Sequence, residues 1–353
     1  MRRALLVLLA VSAVAAVGRG GVSCGVLALQ PRCYVAVHPG PADDAIAMVG
    51  VSGARTYASS GQILLTTVAV DGDLDPFEWV TTAFSRRVDQ MPREVLFPPG
   101  TAEDEVQQHN IAQMDRSQLV ATAAALRHLG HAVDLAPHGA EVVELTAGMP
   151  AEGVLEPGDV IVRVDGEPVD SADAAADAIA GRSPGDTVRI AVRRGPETAE
   201  VDIELAADPE GGDRALVGAL LRDHIPLPVD VTIDAGSVGG PSAGLSFALA
   251  IVDLLTPEDL TGGAVVGTTG SIALDGTVGP IGGIQQKIIG ALDRGGPPAT
   301  VFLVPEGNAA EARATAVDRG VLVVPVGSLQ DALDALDDVR SGREPRDAFA
   351  LGR

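Results

Sequence analysis

The sequence predicts an α/β protein with more than one domain, and three observations carry that expectation. From Val229 to Val339, stretches with strand and helix character alternate. Between residues 131 and 207, short β-branched runs broken by Gly and Pro turns surround a single alanine-rich stretch. A composition of 46% hydrophobic and 21% charged residues describes a chain that buries a sizeable core. Its 353 residues leave room for roughly two or three such cores.

The elements run in chain order. Arg2 and Arg3 precede an apolar run, Ala4 to Val17, then the interruption Gly18–Gly21 and a second apolar patch, Val22 to Leu29. A basic flank before an apolar run is an export pattern, although the run falls short of the ~20 residues a span needs. Residues 1–30 are therefore expected to form a signal anchor or transmembrane segment. That would place the chain at the cell membrane as a single-pass protein with its catalytic part outside the cytoplasm. Whether the segment is cleaved stays open. Cys24 and Cys33 cannot build a zinc site or a disulfide framework; one bridge or two thiols fit equally.

Gly61–Val70 (GQILLTTVAV) has strand composition, Asp75–Val88 suits a short helix, and Pro92–Gly100 reads as loop. Ile111, Met114, Leu119, Ala123 and Leu126 recur at helical spacing across Ala102–Leu129, which Gly130 ends. In the compact stretch, Glu141–Thr146 alternates like a strand. Asp170 or Ser171 then caps a helix to Ala180, strands come next at Thr187–Arg193 and Glu200–Leu205, and Asp208–Asp213 is a polar linker. The final part reads strand Val229–Ile233, helix Ser242–Leu255, strand Ala264–Thr268 and a helix holding Lys287. Strand Thr300–Val304, helix Ala309–Arg319, strand Val321–Val324 and helix Leu329–Val339 complete it. Asn308 with Glu311 suggests a capping box, and Ser328 an N-cap.

The net charge of −23 argues against a nucleic-acid partner. No phosphate-binding loop G-x-x-x-x-G-K-[ST] is present. Of the 25 basic side chains only Lys287 is a lysine, and it lies among Ile281, Ile284, Ile288 and Ile289. An arginine keeps its proton at any working pH, whereas burial can strip a lysine of its own. Lys287 is thus a candidate general base. The other reading is a chance lysine on a helix surface. Upstream, Gly239-Gly240-Pro241-Ser242 places a serine beside a helix N-terminus, where backbone N–H groups favour developing negative charge. A plain N-cap serine is the alternative there. Gly240–Gly244 also fits G-x-S-x-G, but α/β-hydrolases carry their histidine after the serine. All six histidines here precede Ser242. Downstream of the serine lies Lys287 instead, and a serine activated by a desolvated lysine is a known nucleophile–base pair.

On these residues the chain resembles the proteolytic domain of the Lon peptidases, most closely the membrane-anchored, ATP-independent PDZ–Lon-like bacterial proteases. Gly240–Gly244 matches that family's G-P-S-A-G, and Pro280–Lys287 its P-I-G-G-[LIV]-x-x-K. The stretch GMPAEGVLEPGDVIVRVDGEPV resembles the PDZ domains of exported bacterial proteases. The resemblance implies Ser242 as nucleophile, Lys287 as base and Thr269 as the residue holding the amine. Oxyanion donors would come from the backbone around Gly240 to Ala243, with Gly239 and Gly240 freeing the backbone to approach a ligand. It implies a Lon-type fold with an inserted or preceding PDZ domain. Its parts would be residues 45–130 and 213–340, the PDZ domain at 131–207, and a polar tail at 341–353. The expected activity is ATP-independent endopeptidase cleavage of membrane-proximal or secreted polypeptides, without cofactor or metal. Substrate would add to the Glu141–Thr146 strand by β-augmentation. The alternative is a non-catalytic PDZ scaffold with a vestigial Lon-like fold. A homo-oligomer is left open.

Overall fold

The structure, a computed structural model, describes residues 31–208, 214–315, 317 and 320–352. The chain divides into two compact units. One takes the described residues up to His131 together with those from Val229 onward, and the other is Ala132–Pro228. The expected anchor, residues 1–30, lies outside the described residues. No described helix is long and apolar enough to cross a membrane. Cys33 is buried and disulfide-bonded.

The first unit begins with β1 (Tyr34–Asp44), α1 (Ala45–Met48), β2 (Val49–Ser52) and β3 (Gln62–Asp71). β1 and β3 pair antiparallel, with the register slipping between Pro39 and Ala42. Next come α2 (Pro76–Ala83), β4 (Asp89–Pro92), α3 (Arg93–Leu96) and α4 (Glu103–His128). Asp75 starts α2 by accepting from the N–H groups of Phe77 and Glu78, while Glu78 accepts from that of Asp75. This helix stops five residues before the Val88 end that the sequence suggested, and the expected loop Pro92–Gly100 contains α3. Along α4, Met114, Ala123 and Leu126 are buried as the spacing required, while Ile111 is exposed.

The inserted unit carries β5 (Ala140–Leu145), β6 (Val160–Val164), β7 (Glu167–Pro168), α5 (Ala172–Ala180), β8 (Thr187–Arg194), β9 (Glu197–Glu204), β10 (Ala206–Ala207), β11 (Ala215–Leu216) and β12 (Ala219–Asp223). Ser171 caps α5 through the N–H of Ala174. Its main sheet runs β12-β5-β6-β8-β9. Val142, Ile161, Ile190 and Ile203 pack under Ala175 and Ile179 of α5. The proteolytic part is expected to begin at residue 213. Here Ala219–Asp223 pairs antiparallel with β5 along its whole length, which draws these residues into the inserted unit.

The first unit resumes with β13 (Asp230–Ile233), α6 (Gly244–Leu255), β14 (Val265–Thr268), β15 (Ser271–Ile272), β16 (Val278–Gly279) and α7 (Ile284–Asp293). It ends with β17 (Val301–Pro305), α8 (Ala309–Arg313), β18 (Val321–Val326), α9 (Leu329–Arg340) and β19 (Phe349–Leu351). Its large sheet has the order β19-β18-β17-β14-β3-β1-β4. The four central strands are parallel and covered on both faces, which is why they read as unbroken apolar runs. Ile63 and Leu65 point to the face covered by α6 and α9, while Leu64 and Phe302 point to the face covered by α7. Residues 341–353, expected as a polar tail, include β19. Its Leu351 is buried, and Arg313 stacks on Phe349 at 3.8 Å. The expected capping box at Asn308 does not form. Its side chain instead accepts from the N–H of Ile281 and donates to the carbonyl of Ile281, each at 2.9 Å.

Glycines let α7 lie directly on the sheet. A Cβ on Gly290 would stand 2.5 Å from the carbonyl oxygen of Gly40 in β1. Gly283, left-handed at φ 71°, leaves room for Val68 where a Cβ would come within 2.8 Å. In an open helix Gly→Ala stabilises by about 1 kcal/mol. At Gly290 the sign should reverse, because backbone cannot yield as a side chain can. Gly290→Ala is expected to lose about 1–3 kcal/mol in chemical denaturation; unchanged or increased stability would show that α7 has slack against β1.

Candidate active site

Lys287 lies in the first turn of α7, and its seat is built from distant parts of the chain. Its side chain is 3% exposed. Nζ donates to the Thr66 carbonyl at 2.7 Å and to Ser242 Oγ at 2.9 Å. Thr66, on β3, is itself buried, with Oγ1 donating to the Thr268 carbonyl at 2.9 Å. The amine is therefore held between a strand carbonyl and one hydroxyl. Burial pulls its pKa down from 10.5 to about 8, since no neighbouring carboxylate among the described residues offsets the lost hydration.

Ser242 is partly exposed, on the turn before α6. That helix starts at Gly244 with Ala243 as its N-cap position, so the Ser242 hydroxyl is not used as a cap. Its loop is fastened from two sides. Gly270 N–H and Thr269 Oγ1 both donate to the Ser242 carbonyl, at 2.9 and 3.2 Å, and Leu245 N–H returns a bond to the Gly270 carbonyl at 3.0 Å. From α4, Ser117 Oγ donates to the Pro241 carbonyl at 3.1 Å, and the Asn110 carbonyl accepts from Gly240 N–H at 2.8 Å. With its backbone pinned this way, the serine presents Oγ to the amine.

The sequence brought forward Ser242 and Lys287, and the fold brings them together. It uses three other expected residues differently. Thr269 bonds the Ser242 backbone, and the amine's second partner is Thr66. Gly239 makes room for α4, because a Cβ there would stand 2.9 Å from Asn110 Cβ. The N–H of Gly240, expected among the oxyanion donors, donates to the Asn110 carbonyl. Thr66, Asn110 and Ser117 escaped the sequence reading. The doubled threonine in LLTTVAV was the one available hint, and nothing in it named a lysine partner. Among the described residues, no group of three or more His, Cys, Asp or Glu could hold a metal ion.

In the inserted unit a groove runs between α5 and β12. Ala176, Ile179 and Ala180 form its helix wall, and Leu216 to Leu221 its strand wall. Gly218, at φ 80°, turns the chain into β12 where any Cβ would overlap Met149. β12 ends the sheet on this side, and its outer edge carries no strand among the described residues. The expected docking strand Glu141–Thr146 is thereby corrected. β12 already covers it along its length on one side, and on the other β6 pairs with its start, at Ala140 and Glu141. In the same unit His224 stands 3.4 Å from Glu141.

Two family models match the chain. One describes the PDZ domain, over residues 125–205, and the other the Lon protease (S16) C-terminal proteolytic domain, over residues 223–336. The Lon protease of Mycolicibacterium smegmatis is 38% identical over 107 residues, which is 30% of this chain and 11% of that protein. The mitochondrial Lon protease homolog of Debaryomyces hansenii is 37% identical over 97 residues, 28% of this chain and 9% of that protein. The matched part thus spans about a tenth of those relatives' length. Among solved structures, the PDZ domain of the SdrC-like protein from Listeria monocytogenes is 31% identical. It covers 25% of this chain and 93% of that one, with a TM-score of 0.23.

The buried amine has a consequence that does not depend on any activity. Between pH 8 and 10.5 the unfolded chain holds a proton on Lys287 that the folded one has lost, so stability rises with pH across that window. Below it, folding must bury the cation. Lys287→Met is expected to be more stable than the parent by about 1–2 kcal/mol at pH 7, after loss of two hydrogen bonds. That gain should shrink as pH passes from 8 toward 10.5. Denaturant titrations at several pH values measure it, and a pH-independent difference would mean the amine is not desolvated.

Proposed function

This chain combines a PDZ domain with the C-terminal proteolytic domain of the Lon proteases, and we propose that it is a serine endopeptidase working through Ser242 and Lys287. One observation carries the reading: a buried amine, with its pKa near 8, donates at 2.9 Å to the hydroxyl of a partly exposed serine. Deprotonated, that amine takes the Oγ proton as the serine attacks a peptide carbonyl, and it later returns a proton to the leaving amine. The Thr66 carbonyl fixes the amine's direction and stabilises the protonated state formed in the first step. N–H groups of Ser242 and Ala243, at the positive end of α6, face the developing oxyanion. No step calls for nucleotide or metal, so turnover is proposed to be ATP-independent.

Substrate capture belongs to the inserted unit. An extended peptide adds to the outer edge of β12 through main-chain hydrogen bonds. Its side chains enter the groove beside Ala176, Ile179 and Ala180. With the export pattern of residues 2–29, this favours polypeptides outside the cytoplasm, at or near a membrane, as substrates.

Ser242→Ala is expected to abolish peptide hydrolysis while unfolding normally. Lys287→Arg should be as inactive as Lys287→Ala, because a guanidinium has no accessible neutral form. In the parent, kcat/KM should climb with pH through about 8, where the amine gives up its proton. Near-parental turnover by Lys287→Arg, or a rate already level below pH 7, would overturn the base assignment.

The groove has its own test. Ala176→Tyr narrows it without touching Ser242 or Lys287. For long polypeptides KM should rise roughly tenfold, equivalent to about 1.4 kcal/mol of lost contact. Turnover of short peptides should stay unchanged. Equal effects on both substrates would place the groove outside substrate capture.

A further inference from the structure

The three most exposed large hydrophobic side chains among the described residues are Phe84 (86%), Phe77 (68%) and Val95 (62%). They fall within one excursion of 19 residues, on α2, just after it, and on α3. Aromatic residues are scarce in this chain, nine in all, yet five of them cluster here: Tyr34, Phe77, Trp79, Phe84 and Phe97. The excursion wraps the start of the described chain. Tyr34 pairs with Pro92 of β4, and its ring lies 6.0 Å from that of Trp79. An apolar surface of this kind normally marks an interaction site. Its neighbourhood indicates the occupant. The sequence leading into Pro31 is itself apolar, from Ala4 to Val17 and again from Val22 to Leu29.

We propose that the Phe77–Phe84–Val95 surface rests in the interfacial layer of a lipid bilayer, beside the point where residues 1–30 enter the fold. Aromatic side chains favour that layer because ring and polar surroundings are both accommodated there. Charge does not drive the contact. Asp75, Glu78, Asp89 and Glu94 of this excursion are nearly balanced by Arg86, Arg87 and Arg93, and the chain carries −23 overall. Zwitterionic lipid is therefore the matching surface, and salt should leave the contact intact. The contact would hold the protease unit at the membrane face. This inference rests on the reading of residues 2–29 as membrane-associated, and the experiment separates the two.

Trp79 is the only tryptophan in the chain; it lies on α2 two residues from Phe77, half-buried against Tyr34, so its fluorescence arises within this excursion. The full chain is mixed with phosphatidylcholine vesicles whose acyl chains are either plain or brominated. Flotation with the vesicles tests residues 1–30, and quenching by bromine tests the patch. The expected result is flotation, with Trp79 emission lower in brominated vesicles and unchanged by high salt. The variant Phe77→Ser, Phe84→Ser, Val95→Ser should still float and still hydrolyse short peptides, but lose the quenching. A chain that floats without quenching overturns the patch alone, its cover then being the chain's own N-terminal segment or a second copy. Quenching that persists in the triple variant also overturns it. A chain that fails to float removes the membrane reading, and the patch proposal with it.

Discussion

A single amine taken out of water organises the larger unit. Burying Lys287 is unfavourable in itself, and the fold tolerates it by supplying the Thr66 carbonyl and the Ser242 hydroxyl within 3 Å. Each partner needs its own support. Thr66 is fixed by its place in a strand buried on both faces. Ser242 is fixed by bonds from Thr269, Gly270 and α4 to its loop. The lysine is aimed by a helix that glycines bring into backbone contact with β1, and Asn308 clamps the loop before it. Loosening any of these supports would leave a charge buried without its partners.

Both segments that flank the inserted unit are required for that arrangement. The family match to the Lon proteolytic domain begins at residue 223. Thr66, Asn110 and Ser117 all lie far upstream, yet they hold the amine and the serine loop. β3 from the early segment sits between β14 and β1 in the large sheet. The larger unit is therefore one sheet assembled from two stretches of chain, and the insertion between them forms a core of its own. The groove beside β12 is built on that second core, and Ser242 on the first.

Much of this was legible in the sequence, and the misses have a common cause. Long periodic elements such as α4, β3 and α9 appear close to their expected bounds, because burial of one face imposes its period on the residues. Ser328 caps its helix as read, and Ser171, one of the two residues offered for α5, caps that one, since capping is local. The capping box at Asn308 failed because a tertiary partner, the backbone of Ile281, outcompeted a local one. β12 was missed because five residues become a strand only when β5 offers them an edge. The docking strand was misplaced by the same omission.

The sequence by itself determined which groups can do chemistry here: one lysine among arginines, set in isoleucines, and one serine after two glycines at the start of a helix. Residue type and local pattern suffice for that, because the chemistry of a side chain and the preference of a turn are local properties. Only the tertiary structure decided what those groups touch. The amine's carbonyl partner lies 221 residues away, and the serine's supports come from α4 and the end of β14. Which strand edge stays open was likewise settled by pairing between β12 and β5, some 80 residues apart. Contacts of that kind arise from how sheets close and helices pack, and no stretch of neighbouring residues encodes them alone.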